Sequence, residues 1–249
     1  MSNTGSLTYE ERIVAFIDVL GFAQLVEVSE IDPVARTRID KLIATDQLFE
    51  RFMKNMFPLV EAAFFSDSFV LSATVANTIY LFREAGYLCR HLLTLGFVFR
   101  GAIVAGSLHH QDRTIVGPAF VKAYRLERDV AIYPRVIIDD SAFEYWNEEL
   151  TDGSAHAHLV SLTKIGDDGQ RFLDIFDPQW TVFIPWTHLE PSGEVIPAAP
   201  VDYLNAVRGH IQNGIVAHRS NGRVRAKYAW LASEFNERAS TLGISLCST

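Results

Sequence analysis

The chain has 249 residues, enough for one large domain or two small ones, and its 49% of hydrophobic residues supports a packed core and excludes a disordered protein. A net charge of −8 sets an acidic surface against a long DNA or RNA backbone, so no nucleic-acid partner is expected, although a single nucleotide held through metal and a local basic patch stays compatible. Cys89 and Cys247 stand far apart in no ligand spacing, the N-terminus lacks a signal-type apolar region, and no run of about 18 apolar residues occurs, so the expectation is a reducing compartment, no zinc or disulfide framework, no membrane span and a cytoplasmic location.

Residues 12–18 form a continuous apolar run ending in Asp18, the pattern of a buried strand that stops at a site. A helix starts after Gly21. Pro33 opens a longer one, with Ile39, Leu42, Ile43, Phe49, Phe52, Met53 and Met56 at helical spacing. Residues 59–65 and 68–73 read as two strands joined by a tight turn at Ser66-Asp67, with Asp67 at the tip. Residues 76–95 predict a helix. A strand over 97–105 is broken by Gly101 and ended by Gly106, and 107–116 is a polar loop or short hairpin. Gly117-Pro118 opens a helix to about residue 129. Arg135 to Ile138 is another strand and 140–149 a helix. Residues 158–165 and 171–176 form a strand pair around Gly166 to Gly169. Pro185, Pro191, Pro197 and Pro200 mark a surface loop, and helices over 201–219 and 223–239 close the chain. Residues 1–10 are expected to be a flexible N-terminus, 11–150 the core, and 151–249 C-terminal strands and helices that complete it or pack on it.

Asp18 and Asp67 each sit within strongly apolar sequence, where a carboxylate is costly to bury unless something positive meets it. A divalent metal is the simplest partner for two such acids, and a phosphate ester is the common substrate of Mg²⁺ held this way. A strand ending in one acid beside a hairpin tipped with another matches a palm-like site for two-metal phosphoryl chemistry. Leu20 to Phe22 would offer backbone N–H groups at a helix start to a triphosphate.

Four stretches carry a resemblance: Phe16 to Phe22, Phe65 to Ser68, Arg100 to Gly106, and Gly117 to Glu127. In this order they resemble the class III nucleotidyl cyclase family over residues 12–139. The resemblance implies an α+β fold: an antiparallel-rich, ferredoxin-like or palm sheet flanked by helices, here with a C-terminal helical appendage. It also implies a nucleoside triphosphate substrate and two Mg²⁺ or Mn²⁺ ions bound by Asp18, Asp67 and the carbonyl of Val19. Phe22 would lie close to the nucleotide. Arg125 would stabilise charge on the α-phosphate from the partner subunit, so a homodimer with shared sites is implied.

The departures are informative. The family's transition-state asparagine falls at Val121, which donates no hydrogen bond, so either Lys122 beside it substitutes or the oxygen is held otherwise. Its purine-reading lysine and aspartate fall at Ala63 and Thr114. A site built to hydrogen-bond a purine would not discard both groups, and a smaller base is the natural alternative. Phe16 to Phe22, Ser66-Asp67-Ser68 and Ala123 to Glu127, with Tyr133-Pro134-Arg135, resemble the bacterial pyrimidine cyclases of Pycsar anti-phage defence. That subgroup implies cyclic UMP or cyclic CMP, with UTP favoured as substrate, made as a messenger for a separate effector.

Plainer readings accompany each residue. An acid at a strand end also serves as a turn or cap residue. Arg125 also pairs along a helix surface with Glu127 or Asp129, and Arg100 at the head of a strand also fixes an acid structurally. His109-His110 and His156-Ala157-His158 lack a third ligand at metal spacing. Arg223, Arg225 and Lys227 read as a solvated basic face that could also reach a triphosphate across a dimer. A nucleotide-sensing domain without turnover and a two-metal phosphohydrolase are the competing functions. Val121 favours the first, and the second lacks a water-activating base near the acids.

Overall fold

A computed structural model describes residues 7–56, 59–149, 160–183 and 200–248. Its centre is β1 (Glu10–Val19), whose apolar run is buried on both sides, as in an interior strand. Ile13, Ala15, Ile17 and Val19 face the larger core, and Val14 and Phe16 face a smaller one. The alternation of side chains along a strand therefore places Asp18 on the Phe16 side. Antiparallel neighbours flank β1: β3 (Ser68–Thr74) and β4 (Phe99–Gln111). Outside β3 lies β2 (Val60–Phe65), joined to it by the two-residue turn Ser66-Asp67. Ser66 takes a positive φ of 59°, which such tight hairpins require of a central residue.

The sheet order is β2-β3-β1-β4-β6-β8-β7, with the short β5 (Thr114–Val116) folded back on β4. Here β6 is Val136–Ile138, β7 Thr163–Ile165 and β8 Arg171–Leu173. Only β4 and β6 pair in parallel among these strands, so the sheet is mixed and antiparallel-rich. The strand expected to break at Gly101 and end at Gly106 runs through both and forms a hairpin with β5. Gly101 serves close approach instead: a Cβ there would lie 2.4 Å from the carbonyl oxygen of Phe16.

The helices are α1 (Phe22–Ser29), α2 (Pro33–Met56), α3 (Thr78–Thr94), α4 (Pro118–Asp129), α5 (Asp140–Glu149), α6 (Pro200–Ala217) and α7 (Gly222–Thr241). Leu81, Phe82, Ala85, Leu88 and Leu92 of α3 fill the larger core. On α2, Leu42 is buried as expected, but Ile43 is exposed, one step off the inward stripe. Ala119 and Ala123 of α4 let this helix lie close on the Val14–Phe16 face of the sheet. Phe120 and Tyr124 meet Phe16 edge-on at 5.9 and 5.8 Å.

Both closing helices belong to the larger core, through Tyr203, Leu204, Val207 and Ile211 of α6 and Leu231, Ala232 and Phe235 of α7. Polar contacts fix α7 further. Arg238 holds the buried Asp174 and Asp177, Lys164 holds Glu234 and Glu237, and Trp230 stacks on Tyr133 at 5.4 Å. Pro200 opens α6 rather than lying in a loop, since its fixed φ suits a first helical turn. Pro185, Pro191, Pro197, His156 and His158 lie outside the described residues. No helix among the described residues is long and apolar enough to cross a membrane.

Candidate active site

Strand pairing brings the two expected acids together. Asp18 faces Ser68 on one side and Arg100 on the other in the sheet register, and Asp67 immediately precedes Ser68 in the hairpin turn. The Val19 N–H donates to the Asp67 carbonyl at 2.9 Å, which ties the hairpin tip to the end of β1. Ser68 Oγ donates to Asp18 Oδ1 at 3.0 Å. Burial pushes the Asp18 carboxyl above its ordinary range; the Ser68 hydrogen bond opposes this, the Asp67 charge adds to it, and Arg100 and Lys227 also oppose it. An acid held ionised here gains from an added cation.

Around the acids lies a charge cluster whose membership is not evident from local sequence. Arg100 pairs through Nε with Glu127 of α4, a side chain only 3% exposed. Burial pushes Glu127 up to about 7, against the pull of the Arg100 charge and with a push from Asp18. Lys227 of α7 sits in the same field, half-buried, and its ammonium is held below the usual lysine range by burial first and then by Arg100 and Arg223. Arg100 thus takes the structural role of fixing an acid. Glu127→Ala leaves it without that partner. Breaking such a pair is expected to destabilise the fold by about 3 kcal/mol, the low end for buried pairs, and to lower Tm by about 6–12 °C. Thermal denaturation checks this, and a drop of under about 2 °C would remove the pair from the structural account.

Arg125 does not join this cluster. Glu127 faces Arg100, and a residue two positions earlier points about 200° away around the helix. Arg125 is exposed and lines a groove of about 630 Å³ with Tyr9, Val116, Val121, Lys122 and Leu126. It pairs with neither candidate of its own helix: Glu127 goes to Arg100, and Asp129 is held by Arg128 at 2.7 Å. Val121 is 44% exposed on the same face. Lys122 does not stand in for the missing asparagine within this chain, because its ammonium is tied to Asp139 at 2.6 Å and Ser141 at 3.2 Å.

Phe22 packs half-buried at the start of α1, beside a cavity of about 240 Å³ lined also by Leu20, Gly21, Arg38, Phe97, His218 and Tyr228. Gly21 takes a φ of 79° to turn the chain from β1 into this helix. The expected backbone cradle shifts by two residues. The Leu20 N–H is taken by the Val98 carbonyl at 2.8 Å, and the first-turn N–H groups of α1 begin at Phe22. Ala63 is buried in β2 opposite Val70, and Thr114 is exposed at the start of β5. Of the histidine pair, His110 is buried with Nδ1 2.7 Å from Ser72 Oγ, and His109 Nδ1 lies 3.1 Å from the Thr8 carbonyl.

No group of three His, Cys, Asp or Glu among the described residues converges as a closed metal site. Asp18 and Asp67 bring hard oxygen donors whose charges lie near enough to interact, and the Val19 carbonyl follows at the strand end. Such a set suits Mg²⁺ or Mn²⁺, which keep positions for water and substrate phosphate. The disfavoured charge on Asp18 is the observation that fits a cation there.

No protein-family model matches the chain, and no curated protein matches it. Several solved cyclase structures show partial likeness. Two structures of a bacterial light-regulated adenylyl cyclase match at 19% and 20% identity, each with a TM-score of 0.42. They cover 57% and 55% of this chain and 46% and 80% of the other, so the chain spans less than half of the longer one. The guanylyl cyclase domain of the RhoGC fusion protein from the fungus Blastocladiella emersonii matches at 15% identity over 66% of this chain and 95% of that one, TM-score 0.42. At these values the likenesses carry no argument about reaction or substrate, which rest on the side chains described above.

Proposed function

We propose that the chain is a nucleotide cyclase, active as a homodimer with Mg²⁺ or Mn²⁺, that converts a pyrimidine nucleoside triphosphate, UTP in the first place, to its 3′,5′-cyclic monophosphate and pyrophosphate. The observation that carries this is the convergence of Asp18 and Asp67 at one end of the sheet, under a field of basic groups. In the reaction the ribose 3′-oxygen forms a bond to the α-phosphorus, the bond to the β-phosphate oxygen breaks, and the hydroxyl proton passes to solvent. Asp18, Asp67 and the Val19 carbonyl would hold the metal ions, which when bound acidify the 3′-hydroxyl and neutralise phosphate charge. Ser68 orients Asp18, and the α1 N–H groups and basic side chains hold the phosphates. Arg125 reaches the site from the second copy.

Support for a pyrimidine is chemical. The methyl of Ala63 and the short side chain of Thr114 stand where a purine reader would need a long donor and an acid. The product serves as a messenger for a separate effector in anti-phage defence. One feature favours a second reading, a nucleotide sensor without turnover: Val121 presents a hydrocarbon where the transition state wants a donor. Incubating the chain with each labelled nucleoside triphosphate and Mn²⁺, then resolving products, decides between them. Cyclic UMP is the expected product. Cyclic AMP or GMP would overturn the pyrimidine assignment, free phosphate alone would indicate a hydrolase, and binding without product would indicate the sensor.

A further inference from the structure

Resting on the cyclase reading, we propose that Lys227 of the C-terminal helix α7 is a phosphate-binding residue of the site in its own chain, gripping the part of the substrate that leaves as pyrophosphate. Four observations support this assignment. First, Lys227 is half-buried yet has neither a hydrogen bond nor an ion pair among the described residues. Other cations drawn out of solvent do have acceptors: Arg12 has Glu61, Arg135 has Asp168, Lys164 has Glu234 and Arg238 has Asp174. An ammonium partly stripped of water without an acceptor is costly, and an anionic ligand repays that cost.

Second, Lys227 precedes Tyr228, which lines with Val19, Leu20 and Phe22 the cavity at the acid end of β1, and its charge is felt by both Asp18 and Glu127. Third, the helix that carries it is held rigidly by the Asp174–Arg238 and Lys164–Glu234 pairs and by Trp230 on Tyr133. Its ammonium is therefore placed from a fixed frame rather than a loop. Fourth, the charges leave room for an anion. Asp18, Asp67 and Glu127 share a field with Arg100, Lys227 and Arg223, and Glu127, pushed up to about 7, is only partly ionised at neutral pH, so the acids do not outweigh the bases. Two divalent ions and a triphosphate of roughly fourfold negative charge sum to about zero, so they enter without burying a large net charge. Arg100 already gives its Nε to Glu127, whereas none of the Lys227 ammonium donors has an acceptor among the described residues.

Calorimetric titration of inorganic pyrophosphate in the presence of Mn²⁺ tests this on the full chain. Lys227→Met is expected to weaken pyrophosphate binding about tenfold or more, the value of a charge-assisted hydrogen bond. Lys227→Arg should stay within about threefold of wild type. Arg113→Met, in the exposed turn between β4 and β5 at the far end of the sheet from the acids, should leave binding unchanged, and equal melting curves show that all variants fold. In turnover, Lys227→Met should raise KM more than it lowers kcat. Pyrophosphate affinity in Lys227→Met within about twofold of wild type overturns the inference, as does a wild-type chain that binds no pyrophosphate. The cyclase reading is scored separately by product. Weakened pyrophosphate binding without any cyclic product would sink that reading and keep the lysine, and cyclic product with unaltered binding would do the reverse.

Discussion

Asp67→Ala is expected to abolish cyclic nucleotide formation, by on the order of 10³-fold or more, because removing groups that merely support a metal ligand already costs 10- to 100-fold. The fold should survive, since Asp67 contributes to the structure through its carbonyl, which the Val19 N–H engages, and not through its carboxylate. Asp18→Asn should be equally inactive but more stable than wild type without metal. The amide oxygen still accepts from Ser68, while the charge that burial and Asp67 disfavour is gone. Replacing an acid kept for function commonly gains on the order of 1 kcal/mol, about 2–4 °C in a domain of this size. The pH dependence has a definite sign. The folded-state pKa of Asp18 is raised, so its ionised form costs stability at neutral pH, and the cost fades as pH falls through the raised value towards the ordinary 3.8. The Tm advantage of Asp18→Asn should therefore shrink as pH falls from 7 towards 4. Saturating Mn²⁺ should reverse the order: at 100 times Kd it stabilises wild type by about 2.7 kcal/mol and gives the variant little. If thermal scans show Mn²⁺ raising both proteins equally, Asp18 is not a ligand.

The acid pair was legible in sequence because each acid interrupts a local pattern: a buried strand that ends in a charge, and a two-residue turn between apolar strands. The cluster around them depends on distant chain segments. Arg100 meets Glu127 only because β4 lies beside β1 and α4 crosses that face. One signal did exist. Ala119, Ala123 and Glu127 repeat at four-residue intervals, so the acid continues the inward face of α4 and must find a cation there. Lys227 carried no such signal, since Arg223 and Arg225 nearby are exposed and the three read as one solvated face. The continuous β4 was missed for a related reason. Glycine ordinarily ends a strand, but Gly101 is required by the nearness of the Phe16 carbonyl, a contact between strands more than eighty residues apart in sequence.

Mixing two inactive variants should restore activity. Arg125→Ala alone is expected to lose about 10³-fold in kcat, the scale of an arginine that stabilises phosphoryl charge. Arg125 and Glu127 lie on opposite sides of α4, and Glu127 points to the acids of its own chain, so Arg125 is aimed away from them. Its surroundings suit a second copy: Tyr9, Val116 and Val121 are 44–50% exposed and line the groove beside it. A two-fold contact through this face exposes the arginine of each copy to the other's acids. In an equal mixture of Arg125→Ala and Asp67→Ala, half of the dimers are mixed. Each mixed dimer then has one site with both defects and one with neither, so about a quarter of wild-type activity should return. The restored rate should fall on dilution as dimers part, and Val121→Glu, which places a charge in the apolar face, should prevent the restoration. An arginine acting within its own chain would give no recovery at any mixing ratio, because every site would retain one of the two lesions.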